Sequence, residues 1–333
     1  MMKRILIFCF LLFGVKMVFA QDPIFTQSFI IPESINTGFT GSDNTTRAGF
    51  IHRVQWPSTS FRINTQFAFV DTFVEGINSG VGLSILNQQE NTTGYRFSQI
   101  NYNHALEIRL NRYWYFRPSV SVGVGMKSFG FQNLLLEDQI NLNTGIVSTS
   151  SIDPVLLNDE LLFFDFSSSL LFHNDNSWVG VTLRHLTRPN ISFTFQGNVP
   201  LDMFFSAHGA YDLFNLFPTF SRTVAQDVKL YVLGNYMMQG QYSRLDFGLQ
   251  LAFERFSFGL IGVMSPNENS NFDNSFLTSI NLMGGFKWKG WKFSYSYDIT
   301  TNKIGNTGGI YEIMVAYDFG NGRSSLSRCP RIF

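Results

Sequence analysis

The chain carries little charge. Only 14% of its 333 residues are charged, and 24 basic side chains cancel 24 acidic ones. A nucleic-acid surface needs a basic excess, so that class is excluded. Cysteine is nearly missing, with Cys9 and Cys329 alone, and no internal disulfide framework can hold the fold. Long apolar runs are also missing after the first twenty residues. A helical membrane protein needs several runs of about 18 residues or more, and mean hydropathy is only +0.03. Disorder is excluded in turn, because 44% of residues are hydrophobic and net charge is zero. What the sequence has in abundance is aromatic residues, 37 Phe and 12 Tyr, which points to a β-rich chain.

The first twenty residues read as an export leader. Lys3 and Arg4 precede an apolar stretch over 5–15, and Val18-Phe19-Ala20 ends in a small residue. This pattern predicts a cleaved signal peptide, 1–20, with cleavage before Gln21. The stretch is too short for a membrane anchor. Cys9 leaves with the leader and does not sit at the cleavage site, where a lipoprotein requires it. Cys329 then stands alone, as an exposed tail thiol or one half of an intermolecular disulfide.

From Thr46 onward, alternation with period two dominates, over segments of about 9 to 12 residues, the length of a tilted membrane-spanning strand. In 309–319, Tyr311, Ile313, Val315, Tyr317 and Phe319 oppose Ile310, Glu312, Met314, Ala316 and Asp318. In 291–300, Trp291, Phe293, Tyr295 and Tyr297 oppose Lys292, Ser294, Ser296 and Asp298. Aromatic residues at the ends of the apolar face favour a membrane barrel over a soluble sandwich, because Tyr and Trp settle at the headgroup level. The segments lie near 46–56, 60–70, 79–88, 95–108, 113–128, 161–172, 178–187, 202–213, 228–239, 242–254, 255–265, 275–288, 291–300 and 309–319.

The predicted fold is therefore all-β, a transmembrane antiparallel β-barrel of outer-membrane type with about 14 strands, spanning 46–319. A backbone that crosses lipid must satisfy its own amides, so strands can span only as a closed barrel. Connectors alternate between short and long as such a barrel requires, except that 214–227 is long on the periplasmic side. His104 falls on the lipid parity of its strand, which leaves the register near 95–108 open. Residues 21–45 are an N-terminal lead or a plug, and 320–333 a periplasmic tail.

Several local sequences, in order, resemble the PorP/SprF family of outer-membrane proteins of the type IX secretion system. Gln21-Asp22-Pro23-Ile24-Phe25-Thr26-Gln27 is similar to its opening QDP-x-F-S-Q, and Asn36-Thr37-Gly38-Phe39-Thr40-Gly41 occupies the place of its Asn-Pro-Ala-x-x-Gly. Gln55-Trp56-Pro57, then His185-Leu186 with Pro189-Asn190, and last Cys329-Pro330-Arg331 resemble further family elements. The resemblance implies an outer-membrane barrel without catalysis that supports export or surface attachment of particular secreted proteins. It implies as partners the secretion machinery, a periplasmic lipoprotein and a secreted surface cargo, in addition to outer-membrane lipids. The motif residues are then candidate partner contacts.

Arginines fall on lumen parity at Arg53, Arg62, Arg117, Arg184 and Arg244, with Asp165, Asp246, Glu312 and Asp318 as potential partners. Two readings are open: a selectivity lining for anionic solutes, or a mixed ion-pair network that stiffens the interior. No His pair has metal-site spacing, so no metal or cofactor is expected. Ser206 near His208 is the one nucleophile–base candidate. Same-face strand neighbours lie about 7 Å apart and no elbow motif surrounds Ser206, so no catalytic site is expected. The alternative function is a solute channel or hydrophobic-compound transporter with 21–45 as its hatch. Candidate partner-binding segments are loop 129–160, segment 214–227 and the tail.

Overall fold

The structure is a computed structural model that describes residues 22–43, 45–130, 139–140, 147–148, 160–194, 197–215, 228–266, 277–301 and 307–320. Among the described residues, fourteen antiparallel strands close into one barrel. They are β1 Arg47–Gln55, β2 Ile63–Val74, β3 Ser79–Glu90, β4 Arg96–Leu106, β5 Tyr115–Ser128, β6 Glu160–His173 and β7 Ser177–Arg184. There follow β8 Phe204–Asp212, β9 Val228–Gln239, β10 Tyr242–Phe253, β11 Phe256–Met264, β12 Leu277–Trp288, β13 Trp291–Thr300 and β14 Ile310–Asp318. β4 continues past Glu107 as Ile108–Arg109 in the same register against β5. Each strand pairs with its sequence neighbours, and β1 pairs with β14 to close the ring.

The alternation that predicts these strands is also what closes them. Odd-numbered residues of β14 reach lipid, with Ile313 54% exposed, while Glu312 is fully buried inside. Two-residue turns join several strands. Lys289 and Gly290 both have positive φ, 46° and 85°, the conformation that suits a tight hairpin. The second strand runs later than predicted, over Ile63–Val74, because Trp56 adopts φ 54° and starts a turn through Pro57. The seventh ends at Arg184, where His185 takes φ 60°. In β4, His104 does face outward, paired with Val81 and Val120, so the parity near 95–108 holds through to Ala105.

Connectors 75–78, 110–114, 174–176, 254–255 and 289–290, with the longer 213–227, join the strands at one end, and 129–159, 185–203, 265–276 and 301–309 join them at the other. Outer-membrane barrels carry their longer loops outside. β1 therefore starts in the periplasm and its Gln55 end faces out.

Residues 22–43 lie inside the barrel. They form three single 3₁₀ turns, Thr26–Phe29, Pro32–Ser34 and Thr37–Phe39, and most of their residues are buried and none is exposed. Phe25, Phe29, Ile30, Ile31 and Phe39 join one apolar cluster with inward wall residues, among them Ile51, Phe67, Leu171, Trp178, Tyr231 and Met314. Each such side chain removed from water contributes roughly 1.5–3 kcal/mol.

Candidate functional site

The plug crosses the lumen with its N-terminal end outward. The backbone amide of Asp22 donates to Gln239 Oε1 at 2.7 Å, at the outer end of β9. At the other end of the plug Asp43 meets Arg47, the first residue of β1, at 3.3 Å. Four ionic clusters fix the path between them. The carboxylate of Glu312 accepts the backbone amides of Thr26 and Gln27 at 2.8 and 2.9 Å, and Arg53 at 2.6 Å. Arg117, with no exposed surface, donates to the carbonyls of Gly38 at 2.8 Å and Thr40 at 2.6 Å and pairs with Glu107. Arg47 pairs with Glu33 and Asp43 and lies 3.6 Å from Asp71.

His185 builds the fourth cluster, in the connector after β7. Its Nε2 is 2.9 Å from both carboxylate oxygens of Asp22, and its Nδ1 is 2.9 Å from Asp165. Only an imidazolium donates from both nitrogens. Burial opposes that charge, but Asp22 and Asp165 outweigh it and raise the His185 pKa to about 9. Burial likewise opposes ionisation of Asp22, yet His185 and then Arg184 hold it well below the usual carboxylate range. Arg184 adds a bond to the Ser34 carbonyl.

Close approach of two backbones completes the fit. Gly41 has φ 64°, and a Cβ there would lie 2.6 Å from the Thr72 carbonyl. On the wall, a Cβ on Gly80 would lie 1.8 Å from the Thr40 carbonyl. Above the plug the lumen opens into a bowl of about 770 Å³, whose lining includes Asp22, Arg53, Glu90, Tyr95, Arg244 and Asp298.

The profile of the family described as "Type IX secretion system membrane protein PorP/SprF" matches residues 17–317. The chain belongs to the PorP/SprF family. It lies in the outer membrane as a β-barrel. No curated protein sequence matches it. Among solved structures, a Pseudomonas aeruginosa FadL homologue is similar at 9% identity, with 91% of this chain and 100% of that chain covered and a TM-score of 0.47. The KdgM porin is similar at 10% identity, 82% and 99% coverage and a TM-score of 0.35.

In this PorP/SprF barrel, separated motifs meet one another. Asp22 of the opening motif binds His185 of the later one. Gln27 Nε2 donates to Ser296 Oγ and the Glu312 carbonyl. Asn36 caps the amide of Gly38 at 2.7 Å and donates to the Leu170 carbonyl. Gln55 lies beside Arg53, the Trp56 amide donates to the Gly309 carbonyl, and Pro57 begins the outer turn. The Leu186 amide donates to the Phe166 carbonyl. Pro189 and Asn190 shape the connector above, through Leu201 and Pro200. Cys329, Pro330 and Arg331 lie outside the described residues, as do the leader, residues 216–227 and most of 129–159.

The charges of the lumen divide into local groups. Arg53 joins Glu312, Arg117 joins Glu107, and Arg184 joins Asp22 beside Asp165. Arg244 pairs with Asp246 at 2.7 Å, and Asp318 pairs with Lys292 near the periplasmic end. Arg62 is not among them: it is exposed outside the barrel and donates to Asn64. Ser206 and His208 come closer than strand spacing suggests, with Oγ 3.0 Å from Nδ1. Both side chains lean together under the plug, where Asn36 lies 3.0 Å from His208 Nε2, and both are buried. Sequence reasoning does not single out Glu107, Glu33, Arg47 or Asp71. For Glu107, Arg47 and Asp71 the one visible sign is charge on lumen parity in a chain with little charge to spare, whereas Glu33, in the plug, has no strand parity.

Proposed function

We propose that this barrel is a non-catalytic scaffold of type IX secretion, which supports export or surface attachment of specific secreted proteins through protein–protein contacts at its ends. The observation that carries this reading is the use of the lumen arginines. Arg53, Arg117 and Arg184 are committed to the plug or its anchoring carboxylates, so they are not a lining presented to passing solutes. The family adds the secretion context. The outer bowl and its surrounding connectors are the surface offered to a cargo, and a periplasmic lipoprotein would meet the opposite end. The burial of Ser206 and His208 beneath Asn36 leaves that pair no substrate access, which supports a role without catalysis.

A crosslinked plug tests this against the channel alternative. In a Cys329→Ser background, Thr26→Cys with Asp298→Cys sets two thiols at positions whose native hydroxyl and carboxylate are 2.9 Å apart. A scaffold keeps secretion of its cargo when the plug is oxidised shut, and affinity purification from native outer membranes recovers machinery or cargo proteins. Loss of transport on oxidation, restored by reductant, would reject the scaffold in favour of an opening lumen.

A further inference from the structure

The lipid face of the barrel is interrupted at the outer ends of β1 to β4. The strand ladder sets His52, Gln66, Asn87 and Ser98 side by side across these four strands, all on outward parity. Ser98 Oγ donates to Asn87 Oδ1 at 2.8 Å, and Asn87 Nδ2 to Gln66 Oε1 at 3.4 Å. His52 Nδ1 is buried without a hydrogen-bond partner. The next row outward holds Asn64, Gln89 and Arg96, with Arg62 just beyond. Both arginines are exposed, and neither is in an ion pair with a described residue. No Asp or Glu occupies an outward position on these four strands.

The strand ends fix the level of this patch, because Gln55, Ile63 and Glu90 end β1, β2 and β3 on the outer side just one row beyond Asn64 and Gln89. One residue pair toward the periplasm from the His52 row the face becomes apolar, with Phe50, Ala68, Ile85 and Ile100. Amides and guanidinium groups against acyl chains would be costly, so a polar layer must meet them.

We propose that this face binds the phosphate headgroup of a lipid in the outer leaflet. Two guanidinium groups flanked by amides, with no carboxylate to repel an anion, match the acceptor geometry of phosphate. The apolar row directly below takes the acyl chains of the same molecule, which a free anion does not use.

Native mass spectrometry of the full-length barrel in mild detergent tests this, with monophosphorylated lipid A and its dephosphorylated form as probes. The wild type retains the phosphorylated lipid about 10-fold more than the other, and Arg62→Gln with Arg96→Gln removes the preference. Arg109→Gln, exposed at the opposite end, leaves it unchanged. Equal retention of both lipids by the wild type would overturn the proposal without need of any variant. So would a preference that survives in the double variant. Arginine-dependent retention of inorganic phosphate with no preference between the lipids would make this a free-anion site and also overturn it.

Discussion

The inner and outer halves of the lumen share one wall and one alternation, yet only the inner half is filled. Below the bowl, lumen arginines meet partners supplied by or shared with residues 22–43, as Arg117 does with the Gly38 and Thr40 carbonyls. In the bowl, Arg244 finds its partner two residues away on its own strand, in Asp246. The difference teaches that the wall does not close the barrel by itself. A fourteen-stranded ring is wide enough to need a separate chain segment, and wall residues are chosen to receive it.

Removing residues 22–40 breaks the comparison outright, because both halves then become open. The expected result in planar bilayers is discrete conductance steps where the native barrel gives none, with heat-modifiable migration retained. A smaller effect comes from single residues in the two halves. Glu312→Ala leaves Arg53 buried without its partner and frees two plug amides, a loss of about 3–5 kcal/mol in plug docking. Arg244→Gln takes a partner from Asp246 and not from the plug, so plug docking changes by less than about 1 kcal/mol. Hydrogen exchange at the Thr26 and Gln27 amides reads both, and equal effects would refute the distinction.

The weakest perturbation is pH, which acts on the latch at the boundary between the halves. His185 has a raised pKa of about 9 against an ordinary value of about 6.5. Its contribution is therefore complete below about pH 6.5 and is lost as pH rises through about 9. Protection of the Asp22 amide, taken against its intrinsic exchange rate at each pH, should fall between pH 7 and 10, and His185→Gln should flatten that fall. An exchange profile unchanged by the substitution would remove His185 from the latch.

Strand number and parity are legible in the sequence because lipid and lumen impose opposite chemistry on alternate residues. His104 illustrates its strength: a polar residue on lipid parity keeps its place because Val81 and Val120 on either side fix the ladder. The plug is legible only indirectly. Ile51, Tyr231 and Met314 are apolar on lumen parity, which makes sense only if something apolar fills the lumen. Pairing between distant motifs, such as Asp22 with His185, depends on the three-dimensional path of the plug and leaves no local pattern. Arg62 shows the converse error: it precedes β2 at an even position, in step with the outward Asn64 and Gln66, while that strand turns its odd residues, Thr65 and Phe67, to the lumen.

The anchoring of the plug also orders events in folding. Thr26 and Glu312, which bind each other, are 286 residues apart in the chain, and the same last strand zips the ring shut against β1. The segment translated among the first is therefore among the last to be fixed, since its docking site does not exist until β14 arrives. Ring closure and plug capture become a single long-range step, slow by its large contact order, and a half-built barrel has no means of sealing itself.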